Sequence, residues 1–152
     1  IHRTSQIIAE GHMNPMQLSL KLWRIFLEES FDKREYFFMM FVSDHKASMK
    51  GCVEEYYRIF QDEYQDVDQT SKLVLFTNSL REREFIRLLE GVKEGLITEE
   101  NARMLSMLVG AVYAGKLTQY DGTNTKQDAI EEAYELIREL YSRYVEAGVP
   151  IE

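Results

Sequence analysis

Catalysis needs clustered acids, bases, thiols or metal ligands, and this sequence scatters them. The three histidines, His2, His12 and His45, are far apart. None falls in a His-x-x-x-His or Glu-x-x-His spacing, which would set two ligands on one helical face. Cys52, the single cysteine, belongs to an apolar run at helical spacing, so its thiol reads as a packing group rather than a nucleophile. Neither Gly-x-Gly-x-x-Gly nor a phosphate-binding P-loop is present. The acid pairs Glu54-Glu55, Glu99-Glu100 and Glu131-Glu132 read as solvated helix faces. His45, beside Asp44, suits either a polar anchor inside a pocket or a surface turn. The chain therefore reads as a non-enzyme, without a catalytic set, a metal site or a cofactor.

Two other patterns say more. The chain has eight Phe, nine Tyr, seven Met and Trp23, concentrated in its first two-thirds, where all the Phe and most of the Met lie. Aromatic rings and soft Met side chains can line an adaptable apolar cavity, and at helical spacing they can equally form a solid core. The second pattern is Ala102, Ser106, Gly110 and Ala114, four small residues at four-residue spacing. They make a low i±4 ridge that another helix can approach closely. Glycine inside a helix costs up to about 1 kcal/mol relative to alanine, so Gly110 suggests that the approach matters. The crossing helix could belong to the same chain or to a second copy.

The elements that carry these residues read as helices throughout. The 152 residues suit one domain, 45% of them hydrophobic, and the two prolines, Pro15 and Pro150, sit near the ends. Asn14-Pro15 opens a helix bearing Leu18, Leu22, Ile25 and Phe26, with Leu20, Trp23 and Leu27 on a second apolar face. Asp32 starts the next element, and the run Tyr36–Val42 reads as helix rather than strand because no partner strand is evident. Met49, Cys52, Val53, Tyr56, Tyr57 and Phe60 form another stripe. A longer helix runs from Thr70 to Glu94, with Gly95 as its C′ residue. Thr98 caps a helix striped by Leu105, Leu108, Val109 and Val112. Thr125 caps the last, which carries Ile130, Ala133, Tyr134, Ile137, Tyr141 and Tyr144 and stops at Gly148-Val149-Pro150. The expected fold is all-α with six or seven helices. A net charge of −8 repels phosphate backbones, so this segment should not hold nucleic acid by itself. One cysteine excludes an internal disulfide, and no apolar run nears the ~20 residues that cross a bilayer. Together these suggest a soluble, cytoplasmic protein with no membrane partner.

Phe85-Ile86-Arg87-Leu88-Leu89-Glu90-Gly91-Val92-Lys93-Glu94-Gly95-Leu96-Ile97 resembles the tetracycline-repressor (TetR) family of bacterial transcriptional regulators. So does the following helix centre, Met107-Leu108-Val109-Gly110-Ala111-Val112-Tyr113-Ala114-Gly115, and the amphipathic helix from Thr125 to Ala147. The resemblance implies that residues 1–12 end a connecting helix from an upstream helix-turn-helix domain. Residues 13–152 would then be the effector-binding and dimerisation domain of a ligand-responsive regulator, a repressor by preference. It implies a homodimer whose last two helices, 99–116 and 126–147, pair with their copies in a four-helix interface. The interface residues would be Ala102, Ser106, Gly110, Ala114, Tyr134, Ile137, Tyr141 and Tyr144. The middle helices would surround a cavity for an apolar or amphipathic effector, lined by residues chosen from periodicity: Trp23, Phe26, Phe38, Phe41, Tyr57, Phe60, Phe85 and Met104. Basic residues are sparse on the apolar stripes, which speaks against an anionic effector. Operator DNA would be reached only through the upstream domain. A different reading is a helical adaptor that binds a partner protein through an exposed groove and has no ligand cavity.

Overall fold

The computed structural model describes residues 12–43 and 79–152, together with the helical positions 51, 54, 55, 58 and 59. Among the described residues every regular element is an α-helix: α1 (Pro15–Asp32), α2 (Arg34–Phe41), α3 (Leu80–Lys93), α4 (Glu99–Gln119) and α5 (Lys126–Tyr144). None of them is long and apolar enough to cross a membrane.

The caps explain most of the boundaries. Asn14 Oδ1 accepts the backbone N–H groups of Met16 and Gln17, both at 2.9 Å, while the Asn14 N–H donates to Gln17 Oε1 at 3.0 Å. This closed capping box, with Pro15 at the first helical position, starts α1. Thr98 accepts the Asn101 N–H and Thr125 accepts the Asp128 N–H, each at 3.1 Å, to start α4 and α5. At the end of α3 the Leu96 N–H reaches Gly91 O at 2.9 Å and the Gly95 N–H reaches Val92 O at 3.1 Å. With Gly95 at φ +71° this is a Schellman motif, and the positive φ is what requires glycine there.

Two expected boundaries move. Asp32 closes α1 instead of opening the next helix, and the chain turns on Lys33 alone (φ −117°, ψ 47°) before α2 begins. Its carboxylate pairs with Lys126 at 2.7 Å and so ties the end of α1 to the start of α5. The helix expected from Thr70 is described from its Ser79 cap onward, and 70–78 lie outside the described residues. Of the Met49–Phe60 stripe, only the intervening positions 51, 54, 55, 58 and 59 are described, all helical and exposed.

The core follows from which helices meet. α1 packs on both α3 and α5, α3 packs on α4, and α4 packs on α5, while α2 lies over α1 and α4. α1 contributes Met16, Leu20, Trp23, Leu27 and Phe31, a helical stripe facing α4 residues Leu105, Val109, Tyr113 and Leu117 and α5 residues Ile130, Ile137 and Tyr141. Leu18, Leu22, Ile25 and Phe26, the stripe read first from the sequence, are half-buried, and the second apolar face of Leu20, Trp23 and Leu27 makes the core. Arg24 binds Glu131 across the α1–α5 seam, and Arg34 donates to Leu117 O at 2.9 Å, satisfying an α4 C-terminal carbonyl from α2. The C-terminal tail folds back onto the start of α1, where Asn14 Nδ2 donates to Pro150 O at 2.8 Å.

Candidate ligand site

Among the described residues, the densest concentration of aromatic side chains sits where α1, α2 and α4 converge. Phe26 is its hub: its ring lies 5.4 Å from Trp23, 5.5 Å from Phe37, 5.6 Å from Phe41 and 5.1 Å from Tyr113, centroid to centroid. Three of these contacts are edge-to-face, the arrangement that ring quadrupoles favour. The turn at Lys33 makes the cluster possible, because it folds Phe37 and Phe41 back onto Phe26. Trp23 and Tyr113 form the buried floor, while Phe26, Phe37 and Phe41 remain half-buried. The Tyr113 hydroxyl donates to Ser30 Oγ at 3.0 Å, and Ser30 donates in turn to Phe26 O at 2.6 Å. Burial pushes the Tyr113 phenol well above its ordinary range.

α3 brings charge to this apolar wall. The Arg87 guanidinium lies 5.6 Å from the Trp23 ring, and Arg83, one turn earlier, lies 5.0 Å from Phe41. Burial, together with the neighbouring Arg87 charge, holds Arg83 down to about 10. Behind them lies Glu84, with no exposed surface. Its Oε1 accepts from the Tyr141 hydroxyl and from Ser19 Oγ at 3.3 Å, and those two hydroxyls are 2.8 Å apart. Its Oε2 forms an ion pair with Arg87 Nη2 at 2.7 Å, outside hydrogen-bond alignment. Burial and the adjacent carboxylate push the Tyr141 phenol far upward. Among the described residues, three buried polar atoms of this region have no hydrogen-bond partner: the donors Trp23 Nε1 and Arg87 Nε and the acceptor Glu84 Oε2.

Of the expected cavity residues, Trp23, Phe26 and Phe41 therefore come together. Phe38 turns aside to stack under Arg34 at 5.4 Å. Phe85 faces the other side of α3, beneath Arg103 at 4.5 Å, in a shallow groove of about 380 Å³ with Ser79, Arg81 and Ser106. Met104 is 41% exposed on the outer face of α4, away from the cluster. Tyr57 and Phe60 lie outside the described residues.

The residues expected at a two-fold interface divide in the same way. Ala102, Ser106, Ile137 and Tyr141 are enclosed by the chain's own helices and offer no surface to a second copy. A Cβ built on Gly110 would stand 3.8 Å from Arg81 N, so the small-residue ridge is where α3 starts across α4. Ala114, Tyr134 and Tyr144 are half-buried, with Arg24 5.0 Å over the Tyr134 ring. The apolar residues that α4 and α5 do expose include Met104, Met107 and Leu136.

Periodicity missed Phe37, Tyr113, Ser19 and the charged face of α3, where Arg83 and Arg87 lie against aromatic rings. A signal was present: Leu80, Glu84, Leu88 and Gly91 are the buried positions of α3, so a carboxylate occupies a core register. No protein-family model matches this chain, no curated protein is detectably similar to it, and no solved structure matches its fold.

Proposed function

We propose that this chain is the effector-binding and dimerisation domain of a ligand-responsive transcriptional regulator of the tetracycline-repressor type. The observation that carries the reading is the half-buried aromatic wall of Phe26, Phe37 and Phe41, floored by Trp23 and Tyr113 and flanked by the α3 arginines. Such a surface suits a flat or flexible apolar molecule that also carries a polar end. It joins three helices, so a molecule seated there bears on the relative position of α1, α2 and α4 together. The long pair α4 and α5, with Met104, Met107 and Leu136 exposed, supplies an apolar outer face for a second copy.

In this reading regulation is a population shift. Two domain arrangements differ in the spacing of DNA-binding modules supplied upstream, and the effector favours one of them. Moving the equilibrium from almost wholly one state to almost wholly the other requires a preference of about 10⁴-fold. Aromatic burial and buried polar contacts supply preferences of that order when both change between the states.

The helical adaptor is the competing reading, and the close ring packing at Phe26 favours it, since touching rings suit a solid core. Sedimentation analysis combined with a thermal-shift screen of amphipathic small molecules separates the two. A dimer stabilised by a subset of those compounds supports the regulator. A monomer indifferent to all of them supports the adaptor.

A further inference from the structure

Packing continues past the last turn of α5. Asn101 Nδ2, on α4, donates to Tyr144 O at 3.1 Å, and the Glu146 N–H reaches Leu96 O, at the α3–α4 corner, at 2.9 Å. Gly148, at φ +84°, then turns the backbone, with the Val149 N–H on Glu146 O at 3.2 Å. Beyond that turn Val149 and Ile151 pack against the core. The carbonyls of Pro150 and Glu152, two residues apart, meet the first turn of α1. Asn14 Nδ2 donates to Pro150 O at 2.8 Å, and Gln17 Nε2 donates to Glu152 O. Arg138 Nη1 holds the Glu152 carboxylate to α5 at 2.8 Å. Each of the two side-chain amides is therefore used at both ends. Their oxygens close the capping box of α1, and their nitrogens grip the tail.

We propose that residues 145–152 are a strap that ties the start of α1 to the α3–α4 corner and to α5, and so fixes the direction in which residues 12–13 enter α1. The proposal is independent of the effector-binding reading. Its hold has two parts. The apolar seating of Val149 and Ile151 brings the two carbonyls to the first turn of α1, and the amides at the N-cap and three residues on receive them. A carboxylate at either position would cap α1 equally well, because Asp suits the N-cap, Glu suits the third helical position, and the helix dipole favours both. An ionised carboxylate cannot donate to a tail carbonyl. Amides at both positions are thus what the strap requires and the cap alone does not.

NMR relaxation on the whole chain tests the strap with the double variant Asn14→Asp, Gln17→Glu. It keeps every cap acceptor and turns both tail donors into acceptors that repel the tail carbonyls. Backbone order parameters of Val149, Ile151 and Glu152 should stand near about 0.85 in the parent and fall below about 0.6 in the variant. His12 and Met13 should loosen with them, while Met16 to Leu20 keep the parent values. A tail that stays rigid in the variant would overturn the proposal, its hold then resting on Val149 and Ile151 alone. A tail that loosens while His12 and Met13 do not would overturn it too, because the strap would not govern the entry into α1. Asn14→Ser keeps an N-cap oxygen and removes one donor. It gives the same reading with a smaller fall should the double variant not fold, and no fall in the tail values would again overturn the strap.

Discussion

Replacing Tyr141 with Phe should destabilise the chain by more than its single lost oxygen suggests. The phenol ring is enclosed between α5 and α1 and would remain packed in the variant. What disappears is the hydroxyl that donates to Glu84 Oε1 and contacts Ser19 Oγ at 2.8 Å. Glu84 has no exposed surface, so water cannot replace the lost donor. Its Oε1 keeps only the Ser19 hydroxyl at 3.3 Å, a long bond, and its charge leans on Arg87 alone. A hydrogen bond to a charged group contributes about 1.5–3 kcal/mol, and a buried acceptor left short adds a desolvation cost of similar size. A loss of about 2–3 kcal/mol is therefore expected, which lowers Tm by roughly 4–12 °C for a domain of this length. Thermal melts at neutral pH measure it, and Glu84→Gln in the Phe background should recover part of the loss by removing the buried charge. A Tyr141→Phe melt within about 1 °C of the parent would show that Glu84 is not held by this network.

Other perturbations test other parts of the account. Gly110→Ala should be neutral or gain up to about 1 kcal/mol, since a Cβ meets Arg81 only at van der Waals distance. Gly110→Leu should lose about 1–3 kcal/mol by pushing α3 off α4. A leucine variant with the parent melt but no dimer would return the ridge to the two-fold interface. Met107→Lys, on the exposed side of α4, should leave helix content intact while converting the proposed dimer to monomer on size-exclusion chromatography. Persistence of the dimer would move the interface elsewhere. Stability should also fall in alkali. Tyr113 and Tyr141 have phenols raised by burial, so their contribution is complete below the unfolded pKa of about 10 and is lost as pH rises beyond it. Chemical denaturation at rising pH measures this, and Tyr141→Phe should flatten the decline.

Local chemistry in this sequence was legible, and long-range partnership was not. Asn14, Thr98 and Thr125 announce helix starts because a side-chain oxygen must meet backbone donors two or three residues on. Gly95 announces a stop because its φ is open only to glycine at low cost. Asp32 misleads because an acid followed by Lys-Arg-Glu looks like a helix lead-in, whereas its partner is Lys126, far along the chain. The ridge Ala102–Ala114 is equally readable as contact within or between chains, since both need small residues at the same spacing. Trp23, Phe26 and Phe41 were visible as apolar stripe members. Arg83 and Arg87 were not, because periodicity counts apolar residues and passes over a cation stacked on a ring. Glu84 and Tyr141 meet across 57 positions, a pairing that no spacing rule encodes.

Native mass spectrometry of the purified chain tests the central claim most directly, because it reads oligomeric state and bound mass together. The account predicts a dimer that arrives with a small-molecule mass per chain, or takes one up when offered amphipathic small molecules. A bare monomer that takes up none of them would contradict it and leave the helical adaptor.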